Sequence, residues 1–228
     1  PGCAFLLASG VLASGAEVPF ARFSGLAVEA EVAFVMRREL AGPGVTPARA
    51  ATAVEGALPA LELVDFRYVA IVLGGALTPI TGIDLALEGL VYEQSGALAA
   101  TNTAAEVMGN PLNSLAWVAN HLGARGLGLR AGDIVMTGSV SKLLRPRAGD
   151  TVRATYTRLG SVSVPPSLDS VSRRITLSRA SSRIAQVGFT PRLWILTPPP
   201  AGTSSPVLLL SAPAASGRSM SSFAWPTP

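Results

Sequence analysis

A chain of 228 residues that is 49% hydrophobic and only 14% charged can bury a core without disulfide staples and is too apolar to be a solvated, disordered segment. Cys3 is the one cysteine and His121 the one histidine, which excludes an internal disulfide and a cysteine-built zinc site and argues against His-based metal sites and Ser-His-Asp machinery, so any metal must be held mainly by oxygen. The net charge of +4 is concentrated in residues 165–228, where six arginines face Asp169 alone; the near-neutral body carries no aromatic-interleaved basic stripe, and no nucleic-acid partner is expected.

The opening run Pro1 to Ala16 is uncharged and apolar but lacks a basic leader, and reads as the inside of a truncated domain rather than a signal peptide. Residues 27–36 alternate with the strand period, Val28, Ala30, Val32, Phe34 and Met36 on one face and Glu29, Glu31, Ala33 and Val35 on the other. After the Ala41-Gly42-Pro43-Gly44 turn, Thr46-Pro47 predicts an N-cap and first helical position, with a helix through Ala48 to Ala57 closed by Pro59, then a short strand over 60–64. Strands are predicted at Val69 to Leu73 and Asp84 to Tyr92, the latter leading to a hairpin at Gln94-Ser95-Gly96. Asn110-Pro111 opens a second helix that ends near Gly123, and two Ala-Gly-Asp turns launch strands at Ile134 to Thr137 and Thr151 to Tyr156, followed by Gly160 to Val164.

Beyond Val164 the composition turns to Ser, Pro and Arg and periodicity is lost. The expected division is a β-rich body over 1–164 and a tail over 165–228 that stands apart from the core and carries no assigned function. The uncharged run Leu193 to Gly217 contains five prolines and cannot be one membrane-spanning helix. With no targeting or spanning segment visible, the cytoplasm is the expected location and no membrane partner is expected.

Glu29 and Glu31, two apart on a strand, project from one face about 6.5–7 Å apart at Cα. A third acid, Glu62, sits inside Leu-Pro-Ala-Leu-Glu-Leu-Val, where a solvated glutamate is not expected. Two readings are open on this evidence: the pair marks the wet face of an amphipathic strand, or the three carboxylates converge on a hard cation such as Mg²⁺ or Mn²⁺, without which they would repel one another.

Val28-Glu29-Ala30-Glu31-Val32-Ala33-Phe34-Val35 followed by Leu58-Pro59-Ala60-Leu61-Glu62-Leu63-Val64-Asp65 resembles the hydratase/decarboxylase branch of the fumarylacetoacetate hydrolase superfamily. Gly42 to Thr46, Gly109 to Trp117, Ala131 to Ser139 and Leu159 to Val164 add to the resemblance, which spans about residues 5–164. It implies an α+β fold, a β-rich mixed β-sandwich roll with a few flanking helices. It further implies one Mg²⁺ or Mn²⁺ on Glu29, Glu31 and Glu62, with Thr137, Gly138 and Ser139 near the substrate carboxylate and Asn110 and Asn113 lining the pocket, although Asn110 reads equally well as a helix cap.

The implied activity is that of a metal-dependent lyase on 2-oxo (2-hydroxy-dienoic) acids of aromatic meta-cleavage pathways, 2-oxopent-4-enoate hydratase first and 4-oxalocrotonate decarboxylase as the alternative. The partner is then a small-molecule 2-oxo acid, and a homo-oligomer or a complex with a related hydratase or decarboxylase is expected. The family's leading segment with its catalytic lysine, and about twenty residues between Tyr68 and Val69 that include an Asp-Asn pair, have no counterpart in the sequence. A reading of another class follows: a catalytically impaired fragment or a non-catalytic partner subunit. His121 and Lys142 are not assigned a catalytic role.

Overall fold

In a computed structural model of the chain, residues 2–6, 10–65, 69–165 and 193–197 are described. Two sheets are stacked over a shared apolar core. The seven-stranded sheet comprises β1 (Gly2–Leu6), β2 (Val11–Ala13), β3 (Ala27–Met36), β4 (Val54–Val64), β5 (Val69–Leu73), β8 (Ile134–Ser139) and β11 (Leu193–Thr197), in the order β1-β11-β8-β3-β4-β5-β2. The four-stranded sheet comprises β6 (Gly89–Gln94), β7 (Ala97–Thr103), β9 (Val152–Tyr156) and β10 (Gly160–Val164), in the order β10-β9-β6-β7. β11 runs parallel to β8 and β2 parallel to β5, while the other pairs are antiparallel. The helices are α1 (Pro47–Ala51) and α2 (Pro111–Gly123). This is the expected mixed, β-rich α+β architecture. No helix among the described residues is long and apolar enough to cross a membrane.

β3 is the central element, flanked by β4 and β8. Its even-numbered side chains, Val28 to Phe34, enter the core between the sheets, where Leu61, Leu63, Leu90, Tyr92, Leu115 and Val162 join them. The odd-numbered face is no wet face. Ala33 packs there with Leu58, Ala60, Ile71 and Met136, and Glu31 is fully buried. Tyr92 ties the sheets together, its hydroxyl donating to the Val28 carbonyl at 2.9 Å.

Four expectations differ. α1 stops at Ala51 and β4 already begins at Val54, so the helix predicted to Ala57 is one turn, capped by Thr46, whose hydroxyl accepts from the Arg49 N–H. β-Branched Val54 and a glycine at 56 favour leaving the helix. Pro59 then lies within a strand. Its carbonyl accepts from the Gly74 N–H, so its backbone polar edge faces the side where β5 has already ended at Leu73, and the missing N–H breaks no bond to β3. Third, the segment expected to stand apart from the core contributes β11, which sits between β1 and β8; residues 166–192 and 198–228 lie outside the described residues. The strand expected from Asp84 starts instead at Gly89, because Asp84 caps a 3-10 turn over Leu85–Leu87 through its carboxylate and the Ala86 N–H.

Candidate metal centre

The three glutamates meet because of strand register. Glu29 lies directly across from Glu62 in the β3–β4 pair, and Glu31, two residues on, shares their face. Each offers one carboxylate oxygen such that all three atoms lie within 4.8 Å of one another. Glu31 is 0% exposed and Glu62 3%, whereas Glu29 is half-buried and forms the open side of the cluster.

The next strand holds Glu31 in place. The β3–β8 register slips between Glu31 and Ala33, and in that irregularity the Gly138 N–H turns to donate to Glu31 Oε2 at 2.8 Å. The other oxygen, Oε1, is buried and has no hydrogen-bond partner among the described residues. A buried carboxylate oxygen left in this state costs about 1–3 kcal/mol or more, and a cation within the cluster would satisfy it.

Electrostatics lead to the same place. Burial, then the neighbouring Glu62 charge, hold the Glu31 carboxyl well above the usual carboxylate range, with the Gly138 N–H only partly opposing them. Burial and the Glu29 charge push Glu62 up to about 8, and burial raises Glu29. Three such groups cannot all ionise at neutral pH without a compensating positive charge. All-carboxylate oxygen donors suit a hard divalent cation, so the residues present fit the group.

The other expected site residues are placed as follows. Ser139 lies directly across from Glu31, its hydroxyl donating to the Ser141 carbonyl at 2.6 Å. Thr137, two residues before it, has a buried side chain whose hydroxyl donates to the Val32 carbonyl at 2.8 Å. Asn110 caps α2, its side-chain oxygen accepting from the Leu112 N–H, and the Asn113 amide donates to the Met108 carbonyl. Both amides therefore organise the start of α2, which is tied to β8 by the Ser114 hydroxyl donating to the Thr137 carbonyl. His121 stacks on Trp117 with ring centroids 4.7 Å apart, and burial lowers its pKa. A cleft of about 330 Å³ lies beyond the far end of β3, between Glu39, Gly42, Gly123 and Arg130; it contains none of the three glutamates, and the donor chemistry defines the site more strongly than the cleft does. The contributions of Gly138 and of the Tyr92 tether carried no signal in the sequence, since each depends on which strands become neighbours.

A buried carboxylate trio on the central strands of a mixed β-sandwich defines a metal-centre class of fold, and comparison with known proteins gives the family. No protein-family model matches the sequence. A 2-keto-4-pentenoate hydratase of Burkholderia vietnamiensis is 32% identical over 179 residues, which is 71% of this chain and 68% of that protein. The solved structure of 4-oxalocrotonate decarboxylase from Pseudomonas putida G7, complexed with magnesium and adipate, is similar with a TM-score of 0.67 at 28% identity, over 70% of this chain and 67% of that one. A fumarylacetoacetate hydrolase from Exiguobacterium antarcticum, 17% identical with a TM-score of 0.60 over 69% of this chain and 63% of that one, shares the fold. The chain belongs to the hydratase/decarboxylase branch of the fumarylacetoacetate hydrolase superfamily. It spans 58% to 64% of the length of the first curated relatives it matches.

Proposed function

We propose that this chain carries the metal-holding core of a lyase acting on 2-oxo acids, with hydration of 2-hydroxypenta-2,4-dienoate or a close relative as its reaction. The observation that carries the reading is the buried carboxylate trio with the unpartnered Glu31 Oε1. Glu29, Glu31 and Glu62 would hold one Mg²⁺ or Mn²⁺; relatives of the fold are complexed with magnesium in one case and manganese in another. When bound, the cation supplies electrophilic pull on a 2-oxo acid's keto oxygen.

The chain's own residues prepare that site. The Gly138 N–H fixes one oxygen of Glu31 and leaves the other free to act as a ligand. Glu62 and Glu31, enclosed by Ala60 and Ile71 on their face of the sheet, keep water from competing at the buried side. Half-buried Glu29 leaves the approach open to substrate. Gly138 and Ser139, across from Glu31, are proposed to border the substrate carboxylate.

A second reading, 4-oxalocrotonate decarboxylation, is supported by the likeness to a 4-oxalocrotonate decarboxylase of Pseudomonas putida, 32% identical over 60% of this chain and 58% of that protein. Both reactions draw on the same electrophilic pull, so the site serves either. The lack of a counterpart, between Tyr68 and Val69, to the family's internal segment with its Asp-Asn pair supports a core that takes acid–base groups from elsewhere, each such group contributing about 10²–10⁴-fold.

The test offers both substrates to the Mg²⁺-loaded chain and follows diene absorbance and CO₂ release separately. Loss of diene without CO₂ is the expected result, and CO₂ release selects the second reading. Cleavage of acylpyruvates alone would overturn both. Turnover at an ordinary enzymatic rate of about 1–10³ s⁻¹ would exclude the impaired-core reading.

A further inference from the structure

Besides the slip at Gly138, the segment that flanks Glu29 departs from the β ladder at a second place. Val28 and Leu144 exchange both backbone hydrogen bonds, at 2.9 and 2.8 Å, and the Val140 N–H donates to the Ala30 carbonyl at 2.8 Å. Between these anchors β3 spends one residue, Glu29, while the partner segment spends three, 141–143. The surplus forms a bulge, held at its base by the Ser139 hydroxyl bond to the Ser141 carbonyl. Bulges of this kind re-aim side chains beside functional sites.

At the middle of the bulge is Lys142, the single lysine of the chain. It is exposed and forms no ion pair among the described residues. Beside it Leu143 is 41% exposed. Neighbouring strands lie about 5 Å apart, so the bulge stands next to the half-buried glutamate on the open side of the cluster without neutralising it. Three glutamates and a divalent cation leave one net negative charge, and an anionic substrate arriving there needs a cation on its route or at its far end.

We propose that Lys142 is a specificity-determining residue that binds the second carboxylate of a dicarboxylic 2-oxo acid, with Leu143 against the hydrocarbon between the two acid groups. The inference rests on the reading of the site as that of a 2-oxo acid lyase, and within it moves the substrate from the monocarboxylic 2-hydroxypenta-2,4-dienoate to a dicarboxylic relative. The 2-oxo acid end belongs to the cluster, where the chelating oxygens are needed. Lys142, exposed on the bulge across from Glu29, meets the other end. A monocarboxylic 2-oxo acid has nothing to offer it.

The test measures binding of 2-oxoadipate and of pyruvate to the full chain loaded with Mn²⁺, by calorimetry, in wild type, Lys142→Met and Lys142→Arg. The expected result is a loss of about ten- to a hundredfold in 2-oxoadipate affinity in Lys142→Met, recovery in Lys142→Arg, and unchanged pyruvate affinity in all three. Because the chain has one lysine, acylation of its ε-amine, read by peptide mass, is a second measurement on wild type alone: 2-oxoadipate should protect it and pyruvate should not. Equal loss for both acids in Lys142→Met, or equal protection by both, overturns the inference and leaves the functional reading standing. Wild-type protein that takes up Mn²⁺ but binds neither acid overturns both.

Discussion

Removing the metal should make the protein's stability fall as pH rises through neutrality. Glu62, ordinarily near 4.5, is pushed up to about 8 by burial and by Glu29. The folded state therefore keeps a proton that the unfolded chain releases. Stability from this group is fully present below about pH 4.5 and is lost as pH climbs toward 8, by on the order of 5 kcal/mol over the window. Glu31 is raised in the same direction and adds to the loss. Urea denaturation in EDTA at pH 5, 6.5 and 8 measures the effect, with a steepest slope of about 1.4 kcal/mol per pH unit for each proton retained. Mn²⁺ at a fixed concentration, a hundred times its dissociation constant at pH 8, adds about 2.7 kcal/mol there and less at pH 5, where protons compete for the same oxygens. A flat profile in EDTA, or a Mn²⁺ effect of equal size at both pH values, would refute the argument that three buried carboxylates await a cation.

Glu31→Gln removes one charge from the cluster: the metal-free protein should gain about 1–3 kcal/mol at pH 8, while the Mn²⁺-induced rise in melting temperature disappears. Glu88 is fully buried, accepts from the backbone N–H groups of Arg158 and Leu159 and pairs with the Arg158 guanidinium at 3.1 Å; Glu88→Ala should cost about 3–5 kcal/mol in urea denaturation with Mn²⁺ affinity unaltered. Asn110→Ala deletes the α2 cap and should cost about 1 kcal/mol, measured in the same way, whereas a loss of 2-oxo acid affinity beyond that expected from partial unfolding would give Asn110 a role in the pocket.

The sequence was most legible where one strand's own pattern decides the outcome. β3, β5 and β10 are where alternation and flanking turns put them, and the hairpin at Ser95-Gly96 follows from two residues that accept positive φ, 52° and 78°. The odd face of β3 was ambiguous for a physical reason. Two glutamates at i and i+2 look the same on a solvated face and in a buried one, and only the register that sets Glu62 opposite Glu29 distinguishes them. From sequence, only the family resemblance supplies that link. The direction of the Thr137 hydroxyl is not legible in the sequence either, since it is the β3–β8 irregularity that turns it to the Val32 carbonyl while its neighbour's N–H faces Glu31. β11 had no signal, since a single apolar run in a Pro- and Arg-rich stretch does not say which sheet will accept it.

Gly138 concentrates the dependence of the site on broken regularity. Its φ of 106° lies where side chains other than glycine's are strained, and that conformation lets its N–H leave the ladder and reach Glu31 Oε2. A regular continuation of β8 would pair this N–H with β3 backbone and leave Glu31 with neither oxygen held. Gly138→Ala should therefore do two things at once: lower stability by about 1–3 kcal/mol through strain, and weaken Mn²⁺ binding because Glu31 loses the backbone hydrogen bond that orients it. Thermal unfolding and Mn²⁺ titration on the same preparation separate the two. A variant destabilised but with full Mn²⁺ affinity would make Gly138 a turn residue only. A variant with weakened Mn²⁺ binding and unchanged melting temperature would deny the strain while leaving the hydrogen bond as the feature that orients the ligand.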